Sequence, residues 1–230
     1  MTGSGGTGIS GASVDGGAGR FGESPHAQTV AAAGAMRRLT GLLLALEHPH
    51  PVVDDMVARF ADWERELATA APVDATPRLE SADSGRVYLN HAFDVGSYNP
   101  CFPEYEFDHL DAETASGRVT FGLAYEGPPG LVHGGFLGVF FDCVTQHQSC
   151  AAGLAGRTRS LLVTYRRPTP VLTELDFDIA RTEVERGLAS TARLSYRGEV
   201  LCTGEVTTAA MPPEQVSANR FGRRREEPQR

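Results

Sequence analysis

Lysine is missing from this 230-residue chain, and all 21 basic side chains are arginine. A P-loop, a pyridoxal Schiff base and a lysine nucleophile are thereby excluded, because each needs a primary amine at its centre. The 29 acidic residues outnumber the basic ones and leave a net charge of −8. That balance argues against general binding to nucleic acid or to an anionic membrane surface. Only four cysteines are present, widely spread and without a secretory leader. They imply reduced thiols and a cytoplasmic location rather than a disulfide framework. No apolar run approaches the ~18 residues needed to span a bilayer. No GxSxG elbow occurs, so a serine-hydrolase reading has no nucleophile motif to stand on.

What is there divides into four stretches. Residues 1–26 are rich in Gly, Ser and Thr and are expected to form a flexible tail. Their formal GxGxxG (Gly3, Gly5, Gly8) has no strand before it and no helix directly after it, so it lacks the context of a dinucleotide site. Residues 27–85 form a helical extension and linker. Met36, Leu39, Leu43 and Leu46 make one apolar stripe, and Val52, Val53, Met56, Val57, Phe60 and Leu67 make the next. Pro51 suits a first helical position, and Asp54 and Asp55 suit the first turn that follows. Two such helices cannot bury both stripes alone, so they are expected to pack on the main domain or on a second subunit. A helix-turn-helix reader is disfavoured, since only Arg37, Arg38, Arg59 and Arg65 are basic there. His48 and His50 read as loop residues, with no further ligand nearby. Residues 70–85 read as the linker, 86–211 as the main domain, and 212–230 as a polar tail whose Arg223-Arg224-Arg225 cluster is solvated.

The main domain is organised around Tyr125 to Ser149. That stretch starts in the breaker cluster Gly127-Pro128-Pro129-Gly130, and after His133 the pattern turns helical. Phe136, Phe140, Cys143, His147 and Cys150 recur at spacings of four and three, which lines up one apolar face. Gly153 is the expected terminator. Gly134 and Gly135 sit where the helix begins, and bare N–H groups there favour an anion or a developing oxyanion. Asp142 lies on a different face, beside Gly135, Gly138 and Val139. Strands are predicted at Arg86–Phe93, Tyr105–His109 and Arg118–Tyr125 before the helix, with 97–103 irregular. Four more follow it, at Thr158–Arg167, Leu172–Thr182, Leu188–Arg197 and Val200–Ala209, with turns at Arg186-Gly187 and Arg197-Gly198. A long helix followed by an antiparallel meander predicts an α+β domain with its sheet wrapped around that helix.

GPPGLVHGG, an aspartate nine residues after the histidine, Thr158 and the strand LLVTYRRPTPV together resemble the PaaI-like hot-dog thioesterases. The resemblance covers roughly Asn99 to Met211. It implies hydrolysis of acyl-coenzyme A thioesters, with Asp142 activating water or attacking directly, and Thr158 helping to hold that water. His133 is a candidate for orienting the loop or for hydrogen-bonding the carbonyl, with a purely structural histidine as the alternative reading. Some branches carry asparagine where this chain has Gly127.

The spacing itself carries a consequence. Nine residues of helix separate His133 from Asp142 by ~13.5 Å of rise, whereas a base must come within roughly 3 Å of the atom it serves. Two antiparallel copies can bring the HGG turn of one to Asp142 of the other, so a homodimer or a dimer of dimers is expected. Cys143, His147 and Cys150 share a face as metal ligands would, but they continue the Phe136/Phe140 stripe and read as core; no metal and no separate cofactor is expected. Arg166 and Arg167 are candidates for coenzyme A phosphates, or for pairing with Glu174. The competing functional class is a non-catalytic module that binds acyl thioesters and uses its helical extension to reach a partner.

Overall fold

In a computed structural model, the described residues are 25–71, 94–153, 155–185 and 187–211. The Gly-rich tail before residue 25, most of the linker, the strand expected at Arg86–Phe93, Arg186 and the arginine cluster near the C-terminus lie outside them. The described elements run α1 (Ala27–Leu44), α2 (Pro51–Ala70), α3 (Val95–Tyr98), β1 (Tyr105–Leu110), β2 (Thr114–Thr120), a 3₁₀ turn (Leu123–Tyr125), α4 (Gly134–Ala151), β3 (Ala155–Tyr165), β4 (Glu174–Val184), β5 (Gly187–Tyr196) and β6 (Glu199–Met211).

The strands form one six-stranded antiparallel sheet in the order β1-β2-β4-β5-β6-β3. Period-two alternation sends Leu175, Phe177 and Ile179 of β4, and Ala192 and Leu194 of β5, to the buried face. Against them α4 buries Leu137, Phe140, Phe141 and Val144. Phe140 meets Phe121 and Phe177 edge-on at 5.5 and 5.4 Å between ring centroids, a geometry that suits aromatic quadrupoles. Each such ring contributes roughly 1.5–3 kcal/mol through burial. The helix packs tightly on the sheet at Gly204 of β6, where an added Cβ would lie 2.5 Å from Phe141 Cγ. The β5–β6 hairpin turns at Arg197 (φ 51) and Gly198 (φ 80), the paired left-handed conformations of a tight type I′ turn.

The strand predicted at Arg118–Tyr125 ends instead at Thr120, and Leu123–Tyr125 winds into a 3₁₀ turn. Four residues of strand would hold Phe121 and Tyr125 ~13 Å apart. The turn brings their rings to 5.9 Å, edge to face, and both are buried. Gly153 (φ +77) follows the end of α4 as expected.

The helical extension is attached by α1. Ala33 is buried, and Arg37 reaches into the 94–104 loop. Its guanidinium donates to the carbonyls of Asn99 (2.8 Å), Phe102 (3.2 Å) and Gly96, and pairs with Glu104 at 3.2 Å. One of the four arginines that a nucleic-acid reader would have displayed is therefore used inside the chain. α2 has Pro51 at its first turn and buries none of its residues.

Candidate active site

Three polar side chains converge between α4 and β3. Thr158 Oγ1 donates to Asp142 Oδ1 and accepts from Gln146 Nε2 at 2.9 Å. Asp142 and Gln146 are four residues apart on α4 and so lie one above the other. Thr158 meets them because β3 carries a register shift between Thr158 and Ser160. Leu161, Val163 and Tyr165 pair with Val206, Gly204 and Cys202, residues of the helix-facing side. Strict alternation would bring Arg159 to that side next; the extra residue brings Thr158 instead, opposite the buried Thr208. Re-aiming one side chain is a common use of a β-bulge. The hydroxyl's single proton is directed at the carboxylate, so Oδ1 is held and Oδ2 receives no hydrogen bond from a described residue. Asp142 is half-buried and Thr158 exposed.

The other end of α4 is built from the HGG turn. His133 is its N-cap, and its Nδ1 accepts from Gly135 N–H at 3.0 Å. That bond leaves the proton of the neutral ring on Nε2. Of the two glycine donors considered from the sequence, Gly135 N–H is thus engaged by its own histidine, while Gly134 N–H has no acceptor among the described residues. Tyr165, unanticipated from the sequence, donates from its hydroxyl to Gly134 O at 2.9 Å. An added Cβ at Gly134 would lie 2.9 Å from that hydroxyl, so a larger residue there would shift the Tyr165 ring. At Gly127 a Cβ would lie 2.9 Å from His133 Cα and Cβ. An asparagine at this position, as in some PaaI-like proteins, would displace the turn. The loop is closed instead by backbone bonds from Gly127 N–H to Leu131 O and from His133 N–H to Tyr125 O.

The structure separates the two ends. α4 is continuous from Gly134 to Ala151, so eight residues, ~12 Å of rise, lie between Gly134 and Asp142 of one chain. Gln146 is the member of the polar group that sequence reasoning missed; the signal for it was its four-residue spacing from Asp142. Arg167 pairs with Glu199 at 2.8 Å rather than with Glu174, which faces Arg118 at 3.9 Å. Arg166 is exposed beside it.

The cysteine–histidine face goes into the core. Tyr105 Oη lies 3.1 Å from His147 Nδ1. Burial pushes His147 down to about 4 and raises Tyr105, so a neutral phenol and a neutral imidazole share this hydrogen bond. Burial pushes the Cys143 thiol up to about 12, with the Asp142 charge adding to it, and Cys150 up to about 11. A thiol held protonated is a poor nucleophile.

No family model matches the chain, and no curated protein matches it significantly. A solved thioesterase superfamily protein is 25% identical, with a TM-score of 0.65 over 81% of this chain and 97% of that one. The fold is the hot-dog fold of the thioesterase superfamily. The matched share is larger than residues 94–211 alone. A hypothetical thioesterase from Streptococcus pneumoniae, solved with coenzyme A, is 15% identical (TM-score 0.45, 47% of this chain and 90% of that one). A phenylacetic acid degradation-related thioesterase from Ralstonia eutropha is 22% identical (TM-score 0.42, 46% and 83%). No helix among the described residues is long and apolar enough to cross a membrane.

Proposed function

We propose that the protein hydrolyses acyl-coenzyme A thioesters at two equivalent sites, each shared by two copies of the chain. The supporting observation is the oriented carboxylate: Gln146 holds Thr158, Thr158 holds one oxygen of Asp142, and the other oxygen is left for a ligand. The second half of the site is the unengaged Gly134 N–H at the positive end of α4. Because ~12 Å of helix separates these halves in one chain, the thioester carbonyl is placed against Gly134 of one copy and Asp142 of the other. β3 is one of the two edges of the sheet. Its helix-facing residues Leu161 and Tyr165 are 36% and 57% exposed, and an open edge of this length is suited to cover by a second copy.

In the proposed reaction Asp142 takes a proton from water as its oxygen bonds to the carbonyl carbon. Gly134 N–H receives the charge that develops on the carbonyl oxygen, with His133 Nε2–H beside the same turn. Collapse of the tetrahedral adduct breaks the C–S bond. The sulfur leaves as the coenzyme A thiolate and takes the proton from Asp142, giving the free acid and the free thiol. Water is the only co-reactant. Arg166 is the proposed contact for coenzyme A phosphate; Arg167 would have to exchange Glu199 for it.

The test is thiol release from a panel of acyl-coenzyme A substrates by wild type, by Asp142→Asn, and by an Asp142→Asn/Gly134→Pro mixed preparation. Turnover by wild type, its collapse in Asp142→Asn, and partial recovery in the mixture are expected. Near-wild-type turnover by Asp142→Asn on every substrate would refute the assigned base. Binding of acyl-coenzyme A without hydrolysis of any panel member would instead favour the non-catalytic module.

A further inference from the structure

The N-terminal arm carries a pattern that hydrolysis does not use. Along α2, Val53, Met56, Phe60, Trp63, Leu67 and Ala70 recur at strict three–four spacing for almost three heptads. This is the a/d spacing of a two-helix coil, widened at its first turns by Val52 and Val57. Within the chain the seam is not covered. Phe60 is 43% exposed, Trp63 51% and Leu67 68%, and the Phe60 and Trp63 rings sit side by side at 5.7 Å. α1 does not close over it: the two helices splay around an open cleft of about 590 Å³ at their elbow, lined by Leu43, Leu46 and Val53.

The flanking positions specify what would cover the seam. With Val53 at a, the g positions are Val52, Arg59 and Glu66, and the e positions include Val57 and Glu64. In a parallel pair each g residue faces the e residue five places on in the other helix. Val52 then meets Val57 of the partner subunit, and Arg59 meets Glu64 of the partner subunit, each contact occurring twice. An antiparallel pair would set Val57 against the partner's Glu64, an apolar group against a charge. Neither Arg59 nor Glu64 has an ion-pair partner among the described residues; the ion pair on this helix is Arg65–Asp62. We infer that α2 is a self-association surface, which a second copy of this chain covers through a parallel pairing of the two helices. This surface is separate from β3 and from the catalytic groups.

The single tryptophan of the chain, Trp63, lies in the seam and reports on it directly. The experiment is sedimentation of the full chain together with its tryptophan emission, for wild type and Phe60→Glu. Wild type at tens of micromolar is expected to show a buried-indole emission. Phe60→Glu is expected to halve the particle mass and shift the emission to longer wavelength, while acyl-coenzyme A turnover is retained. Reversing one charge, as Arg59→Glu or Glu64→Arg, should weaken association by roughly tenfold. A one-to-one mixture of those two variants should restore it. Unchanged mass and emission in Phe60→Glu would overturn the proposal, as cover by the chain's own residues would produce. A mixture no tighter than the single variants, or recovery only when Arg59→Glu meets Glu66→Arg, would overturn the parallel register. Asp142→Asn must leave mass and emission untouched, which keeps this test apart from the assignment of the active site.

Discussion

Thr158→Val is the most informative single change at the site, because it removes one hydroxyl and keeps the shape. That hydroxyl links Gln146 to Asp142. A hydrogen bond to a charged group is worth about 1.5–3 kcal/mol. In the proposed reaction, its loss lets the carboxylate leave the orientation that presents Oδ2 to the substrate. If that whole contribution is expressed in the transition state, turnover falls about ten- to a hundredfold, at 1.36 kcal/mol per decade. Removing the base itself, as in Asp142→Asn, should cost more, ~10²–10⁴. Thr158→Ser keeps the hydroxyl and should stay within a few-fold of wild type. The Asp142→Asn/Thr158→Val double variant should be no slower than Asp142→Asn, since Thr158 acts through Asp142. The assay is initial-rate thiol release on one hydrolysed acyl-coenzyme A, with thermal unfolding alongside. Thr158 is exposed, so stability should change by less than about 1 kcal/mol. Wild-type turnover in Thr158→Val, or full additivity in the double variant, would refute a positioning role.

Three further outcomes follow from packing and burial. Gly204→Ala forces a Cβ to 2.5 Å from Phe141 Cγ and should cost about 1–3 kcal/mol, a Tm loss of roughly 3–10 °C. Gly138→Ala meets Leu161 Cδ2 at 3.6 Å and Val163 Cγ2 at 3.9 Å, both ordinary contacts, and should be neutral or stabilising by up to about 1 kcal/mol; calorimetry of the two separates close packing from glycine's chain entropy. Under native conditions a thiol reagent should modify Cys101 quickly and Cys143 and Cys202 slowly, since Cys101 is exposed and the other two are buried with raised pKa values; equal rates at all of them would contradict the core placement. Burial lowers His147 from 6.5 to about 4, so the unfolded chain binds more protons between those values. Its contribution is full above about pH 6.5 and is lost as pH falls toward 4, by up to about 3 kcal/mol. His147→Gln should flatten denaturation midpoints across that window.

Local patterning was enough for the α+β class, for the span of α4 and for the β5–β6 turn. Each follows from side-chain periodicity, or from the few residues that tolerate a left-handed backbone. Asp142 was legible for the same reason: a carboxylate off the apolar stripe of a core helix stands out in one dimension. The nine-residue spacing by itself also separates it from the HGG turn, because helical rise per residue hardly varies. What the sequence could not decide is everything that depends on two distant segments meeting. The bulge that turns Thr158 rather than Arg159 toward Asp142 depends on how β3 registers with β6, and no residue of β3 announces it. Gln146 became part of the site only once Thr158 was beside it. Tyr165 has no helical or strand signature that ties it to Gly134. The engagement of Gly135 by His133 is a matter of one rotamer, and so is the choice of Glu199 over Glu174 by Arg167. Periodicity reports which face of an element is apolar; register and rotamer decide which atoms on the polar faces touch, and those are properties of the packed sheet and helix.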